Sequence, residues 1–399
     1  MISSISWVPK GVSKPVIYMT KAMKDVLREF YGDEDPYLSK DKDEYDYDYE
    51  ELCNPIYPTD SLIVCARPKV EGSDSFGILE VLTLNPHDIR NSASPLYHHD
   101  IRIPVLPHNH HEILISALPL CSAWLDCPLQ GGERGNFLAV GSMEPNIGIF
   151  NIDVIQGDGR GEPCMVLGST EDDGHSDAVL GLAWNKEYRN IIASASVDKQ
   201  VKIWDVVSGK CEITMTDHSD KVQAVAWNLH SPRLLLSGSF DGTVFLKDGR
   251  MPSNDGCEWK LNAKVKSLAW DPHSEHSFVA SLANGTVRLI DVRTAKSDSG
   301  SEFNANEHGK AVTSVSYNPS APNLLATGSE DETVKLWDLS HNQPSCVASY
   351  SPQVGPVFCI SFSEEDPFFL AIGGSKGNLR IWNLHRDSGI SQRYGNYMK

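Results

Sequence analysis

The sequence predicts an all-β protein built as a ring of seven four-stranded blades, a β-propeller, and three observations carry that prediction. An aromatic residue recurs in one slot: Trp184, Trp227 and Trp270 stand 43 residues apart, and Tyr317 and Phe362 follow after 47 and 45. A second slot runs in phase, reading VKIWD at Val201–Asp205, VFLKD at Val244–Asp248, VRLID at Val287–Asp291, VKLWD at Val334–Asp338 and LRIWN at Leu379–Asn383. Between the slots lie short alternating or fully apolar runs bounded by turn residues, the pattern of short strands. A period of about 40 to 45 residues with this ending is that of a propeller blade.

Each element follows from local chemistry. At the front, SISWVPKG (Ser4–Gly11) reads as the first strand of a split blade, completed by SLIVCA (Ser61–Ala66), FGILEVLTL (Phe76–Leu84) and LYHHDIRI (Leu96–Ile103). Between the first two of these strands, KAMKDVLREF (Lys21–Phe30) puts Ala22, Met23, Val26, Leu27 and Phe30 on one face of a short amphipathic helix. The run that follows, Asp33 to Glu51, holds ten acids against Lys40 and Lys42, including Asp41, Asp43, Glu44, Asp46, Asp48, Glu50 and Glu51. Few aliphatic residues and a dense single-sign charge predict a disordered insert, with Tyr45, Tyr47 and Tyr49 spaced to line one side of a strand if a basic partner orders it. The chain thus divides into residues 1–19 (first strand), 20–56 (helix and insert) and 57–399 (remainder of the ring).

A second diverged unit reads LPLCSAWLD (Leu118–Asp126), NFLAVGS (Asn136–Ser142) and NIGIFNI (Asn146–Ile152). The five regular units complete the seven; in one of them AVTSVSY and VKLWDL alternate around the buried run NLLATGS. Asp241-Gly242 and Asn284-Gly285 are dipeptides suited to tight hairpins, which need positive φ. A lone four-stranded unit cannot bury both faces, so the units stack, and a closed ring leaves no long exposed edge.

Composition bounds the function. The chain has 399 residues, 40% of them hydrophobic, and a formal charge of -18. No apolar run approaches the ~20 residues of a membrane span, and the first residues lack the basic and apolar regions of a secretory signal, so an intracellular protein with no membrane partner is expected. Nine cysteines stand singly with no C-x-x-C pair, which predicts reduced, mostly buried thiols rather than zinc or a disulfide framework. No phosphate loop or nucleophile elbow occurs, and QGDGRGEP (Gln156–Pro163) reads as a flexible connector. His98, His99, His108, His110 and His111 fall together near Pro104 and Pro107 and read as a surface linker rather than a metal site. No enzyme, no cofactor and no small-molecule substrate are expected.

The repeating units resemble WD40 repeats, whose buried tetrad maps onto His175, Ser194, Asp198 and Trp204 in one blade and onto His308, Thr327, Asp331 and Trp337 in another. A loop His, a strand hydroxyl, a turn Asp and an indole N–H satisfy one another inside an apolar blade. Two units depart: one keeps His218, Ser237 and Asp241 but has Lys247 in the indole slot, and the next has Ile290 there and no loop His. Those blades are expected to depend on packing.

The Trp-Val-Pro-Lys-Gly opening, the helix, the acidic insert and the recurring Trp184, Trp227 and Trp270 together resemble the periodic tryptophan protein family, type 1. That resemblance implies a factor of the nucleus and nucleolus that acts in large-subunit ribosome biogenesis and in chromatin at ribosomal genes. The blade geometry of the family implies a partner-binding face where Lys221, Gln223, Phe240, Lys264, Lys266, Thr313, Glu330, Phe358 and Lys376 emerge together, a basic, aromatic mouth suited to RNA phosphates or an acidic peptide.

Three readings follow. The first is a non-enzymatic scaffold that binds ribosomal proteins, pre-ribosomal particles and rRNA. The second is a reader of basic histone tails. The third is a substrate receptor of a cullin-type ubiquitin ligase, for which Asp248-Gly249-Arg250 and Asp291-Val292-Arg293 keep an Asp-x-Arg but lack the preceding Trp.

Overall fold

The computed structural model describes residues 1–18, 56–71, 74–85, 107–129, 134–156, 159–169, 174–251, 256–294, 301–305, 308–341 and 344–398. The expected helix at Lys21–Phe30, the acidic insert and the Leu96–Ile103 strand lie outside the described residues.

Seven sheets form the ring. Blade 1 takes β1 (Ser4–Val8) and, beyond the short β2 (Val16–Tyr18), β3 (Ser61–Glu71), β4 (Asp74–Leu84) and β5 (His108–Ile115). Blade 2 takes β6 (Pro119–Leu125), β7 (Phe137–Ser142), β8 (Ile147–Asn151) and, after β9 (Val154–Gln156), β10 (Met165–Leu167). Blade 3 is β11 (Val179–Trp184), β12 (Ile191–Ser196), β13 (Val201–Asp205) and β14 (Lys210–Met215). Blade 4 is β15 (Val222–Trp227), β16 (Leu234–Ser239), β17 (Thr243–Asp248) and β18 (Cys257–Lys260). Blade 5 is β19 (Val265–Trp270), β20 (Ser277–Leu282), β21 (Val287–Asp291) and β22 (Ser301–Ala305). Blade 6 is β23 (Val312–Tyr317), β24 (Leu324–Ser329), β25 (Val334–Asp338) and β26 (Ser345–Tyr350). Blade 7 has, among the described residues, three strands, β27 (Val357–Phe362), β28 (Phe369–Gly374) and β29 (Arg380–Asn383).

Two front-end expectations are corrected. The fourth strand of blade 1 is His108–Ile115, so His108, His110 and His111 sit on a strand rather than in a linker. Pro104 and Pro107 stop short of it, which leaves the backbone donors of β5 intact for pairing with β4. The glycine-rich connector is also tied down, since Leu114 N–H donates to the Gly159 carbonyl and Gly161 N–H to the Leu114 carbonyl, both at 2.8 Å.

The core is not one mass but seven apolar clusters, one at each seam between blades. Second strands such as β24 and β28 are buried along their whole length because a neighbouring blade covers each face. Close approach is made possible by glycine: a Cβ on Gly238 would stand 2.6 Å from Val265 of the next blade, and one on Gly373 would stand 2.8 Å from Ile2.

Among the described residues no fourth strand completes blade 7, and the N-terminus meets it by packing. Ile2, Ile63, Cys65, Leu82 and Leu84 of blade 1 cluster with Phe369, Ala371, Leu379 and Ile381 of blade 7. Across this seam Ile2 N–H donates to the Gly374 carbonyl at 3.0 Å, Ser61 Oγ donates to Asp366 at 2.9 Å, and Lys10 pairs with Asp366 at 2.7 Å. After β29 the chain turns into α1 (Ser388–Tyr394), capped by Asp387, with Ile390 and Tyr394 buried against blades 6 and 7. Arg393 fastens this helix to Asp338 at 2.6 Å.

The aromatic slot extends to all seven blades once register is known. Trp7, Trp124, Trp184, Trp227, Trp270, Tyr317 and Phe362 each stand at the end of an innermost strand or one residue before it and face an apolar residue of the second strand. Trp227, Trp270 and Trp7 donate their indole N–H to a carbonyl of the preceding blade: Ala183 at 3.0 Å, Ala226 at 3.1 Å and Ser361 at 3.2 Å. The following asparagines reach the other way, Asn185 to Pro232, Asn228 to Glu275 and Asn318 to Pro367. At Trp227-Asn228 the two bonds together make a two-directional latch between blades, and the other positions supply one direction each. Trp270→Phe keeps the ring but removes the donor to Ala226, and a loss of about 1 kcal/mol in urea unfolding is expected.

Candidate binding face

Both expected tetrads are assembled. His175 bonds Asp198 at 2.8 Å and Ser194 at 2.7 Å, and Trp204 donates to Ser194 at 2.8 Å. His308 bonds Asp331 at 2.9 Å and Thr327 at 2.8 Å, and Trp337 donates to Thr327 at 2.9 Å. These bonds run from the loop before the first strand to the turn after the second, so they brace the upper face of each blade.

Burial alone raises the Asp331 carboxyl, but hydrogen bonds from Thr333 and His308 outweigh it and hold the group at about 2. A depressed carboxyl stabilises the fold above its ordinary range and loses that contribution as pH falls. The stability difference between the wild type and Asp331→Asn is thus expected to shrink as pH is lowered from about 4 to about 2, as read by denaturant midpoints.

The divergent blades use other means. In blade 4 His218 still bonds Ser237 at 2.8 Å, while the buried Lys247 turns to Asp217 at 2.6 Å. Blade 5 substitutes an aromatic cluster for the tetrad, with Phe278 packed 5.2 Å from Trp259 and 5.6 Å from Trp270. The turn between its second and third strands carries Gly285 at φ 88°, where a side chain would meet the His308 carbonyl.

The same turns build the upper face. Phe240 precedes the Asp241-Gly242 turn and its N–H donates to the Lys221 carbonyl at 3.0 Å, which sets the two side by side. Three ammonium groups converge on the Phe240 ring: Lys221 at 4.2 Å from the centroid, Lys264 at 5.1 Å and Lys266 at 5.2 Å. Each is a cation–π contact, but three like charges over one ring repel one another. Glu330 of the next blade stands 3.9 Å from Lys266 and offsets part of this charge.

The other expected members lie apart in role. Thr313 donates to the Val357 carbonyl at 2.7 Å and belongs to the seam between blades 6 and 7. Lys376 is exposed and donates to the Gln353 carbonyl at 3.4 Å. Gln223 and Phe358 are half-buried on first strands of blades 4 and 7.

No disulfide joins the described cysteines; Cys65 and Cys127 are buried, Cys121, Cys211, Cys257 and Cys359 half-buried, and Cys164 and Cys346 exposed. Burial pushes the Cys121, Cys127 and Cys359 thiols up to about 12. His110 and His111 face each other at 2.7 Å, and burial lowers both to about 4. Among the described residues no His, Cys, Asp and Glu cluster is arranged to hold a metal, and no helix is long and apolar enough to cross a membrane. Arg250 and Arg293 fold back on their own Asp248 and Asp291, each through Nε at 3.0 Å.

What sequence reading missed is at the opposite end of the ring. Trp7, Trp124 and Trp184, all half-buried, line a cavity of about 300 Å³ with Phe362, Lys186 and Glu364. Trp7 and Trp124 fall in stretches already read as strands, but an insertion and a long first blade break the period that would put them in one slot with Trp184.

Comparison with known proteins agrees with this architecture. The WD domain, G-beta repeat family matches residues 166–205, 209–248, 301–338 and 344–383; it leaves out residues 1–165, with the diverged blade 1 and most of blade 2, and residues 249–300, which hold the first three strands of blade 5. An uncharacterised WD repeat-containing protein of Schizosaccharomyces pombe is 35% identical over 381 residues, 91% of this chain and 68% of that protein. The chain belongs to the WD40-repeat family, as a seven-bladed propeller.

Within that family it is homologous to the periodic tryptophan protein 1 homologues. The Drosophila melanogaster homologue is 28% identical over 69% of this chain and 61% of its own length. Periodic tryptophan protein 1 of Saccharomyces cerevisiae is 28% identical over 44% of this chain and 35% of its own length. The chain therefore spans less than two thirds of either.

Proposed function

We propose that the protein is a non-enzymatic scaffold of the nucleus and nucleolus that binds pre-ribosomal particles during assembly of the large ribosomal subunit. The observation that carries the reading is the group of Lys221, Lys264 and Lys266 around Phe240, a local positive charge on a chain of net charge -18. Phosphate oxygens relieve the repulsion among the three ammoniums, and the Phe240 ring offers a face on which a base stacks. Homology to the periodic tryptophan protein 1 proteins supports the placement in ribosome assembly. The acidic insert, with Asp41 to Glu51, supplies the opposite charge for basic ribosomal proteins.

Affinity purification with mass spectrometry and RNA sequencing tests the reading. Pre-rRNA and large-subunit proteins are expected on the bait and are expected to diminish when Lys221, Lys264 and Lys266 are changed to Glu. A bait that recovers neither pre-rRNA nor ribosomal proteins overturns it.

A further inference from the structure

We propose that the lower end of the ring is a receptor for an arginine side chain presented by a basic protein segment. The inference does not rest on the Phe240 face, which lies at the other end of the blades.

The cavity there is built from the ends of first strands in blades 7, 1, 2 and 3. In blades 4 and 5 the corresponding Trp227 and Trp270 are only 8% and 5% exposed, and their indoles are spent on the preceding blade. Trp7, Trp124 and Trp184 are half-buried instead and leave aromatic surface along the cavity wall. Two of them have exchanged the inter-blade bond for a local one: Trp124 donates to Asn136 and Trp184 to the Arg189 carbonyl, both at 2.8 Å. Those two indoles stand edge to face, centroids 5.5 Å apart at 86°. The latch used elsewhere in the ring is thus relaxed where the cavity opens.

The rim supplies the charge that selects the occupant. The lower loop of blade 7 reads Ser363-Glu364-Glu365-Asp366. Asp366 is engaged by Lys10 and Ser61, and Glu365 accepts from Lys10 N–H at 2.8 Å. Glu364 instead meets Lys186, which reaches over from blade 3. Both side chains are well exposed, 50% for Lys186 and 66% for Glu364, and a pair of this kind contributes about 0 to 1 kcal/mol. Lys186 therefore acts as a displaceable strap.

An entering guanidinium gains what Lys186 has and more. Its plane stacks on indole faces, and its fork matches the Glu364 carboxylate with two parallel hydrogen bonds, while the displaced ammonium returns to water. An apolar side chain would fill the same volume without answering Glu364, and a carboxylate would be repelled by it. The chain's net charge of -18 draws basic segments toward every face.

Isothermal titration of the full-length chain with a synthetic octapeptide of alternating Gly and Arg, and with its Lys and Gln counterparts, tests the proposal. The Arg peptide is expected to bind more tightly than the Lys peptide, and the Gln peptide not to bind. Glu364→Gln is expected to weaken the Arg peptide about tenfold, the scale of one hydrogen bond to a charged group, and Lys186→Met to tighten it severalfold. Both positions are exposed, so folding is preserved. Because the two variants also shift the net charge in the sense of their expected effects, Glu258→Gln and Lys260→Met make the same charge changes at an exposed ion pair on the outer strand of blade 4 and are expected to leave the affinity unchanged; equal effects of the two sets of variants overturn the proposal. Equal binding by wild type and Glu364→Gln places the peptide elsewhere, on the acidic run for example, and overturns the proposal. Tight binding of the Gln peptide overturns it as well.

Discussion

Ile2→Asp is expected to open the ring. Ile2 is fully buried and enters the space that Gly373 leaves by having no side chain, the same fit that Val265 makes with Gly238 two blades from the far side. At every other seam the chain passes from one blade directly into the next, so the junction is also covalent. Between blades 7 and 1 the contact is noncovalent, and among the described residues blade 7 has no fourth strand from the N-terminus to share. Truncating a buried Ile costs about 2 to 5 kcal/mol, and an uncompensated buried carboxylate adds to that. A loss above about 4 kcal/mol in urea unfolding is therefore expected, with Val207→Asp, at an exposed position, within about 0.5 kcal/mol of the wild type. Equal midpoints for the two variants would show that the seam is closed by something other than this packing.

The contrast between the regular and diverged blades explains what could be read in advance. The tetrads were legible because His175, Ser194, Asp198 and Trp204 are fixed by local offsets, and His308, Thr327, Asp331 and Trp337 repeat them. The Phe240 group was legible for a related reason. Antiparallel register makes a residue before a first strand the neighbour of one in the following turn, as the Phe240 to Lys221 bond shows. Thr313 has the offset of Gln223 and Lys266, four residues before the slot aromatic, yet its hydroxyl is captured by a backbone carbonyl of the next blade, a contact that no within-blade pattern encodes.

Long-range fits were the illegible part. That Ile2 meets Gly373, or that Trp7 donates to Ser361, depends on bringing residues more than 350 positions apart together, and a repeat reveals nothing about its own break. The misplaced fourth strand of blade 1 has a different cause. Leu96–Ile103 alternates as well as His108–Ile115 does, and β-propensity does not separate two candidate partners for the same β4 edge.

Removing the charge at Lys221, Lys264 and Lys266 is expected to change how binding depends on salt, which identifies the chemistry of the partner. Each single-strand phosphate neutralised contributes about 0.7 to the slope of log K against log salt. Changing all three lysines to Gln should flatten the slope for an rRNA fragment by about 2, and changing them to Glu should weaken binding at least about a hundredfold near physiological salt. Lys221 is half-buried along its stem and Lys264 exposed, so the ammoniums are available to a ligand while their chains keep packing on Phe240. Phe240→Leu separates an RNA from an acidic peptide. A base stacked on the ring loses about 1 to 3 kcal/mol when the ring goes, whereas carboxylates held by the lysines retain their partners. Loss of affinity in Phe240→Leu with an unchanged salt slope is the result expected for RNA. An unchanged affinity in the Glu triple variant would remove the upper face from the binding surface altogether.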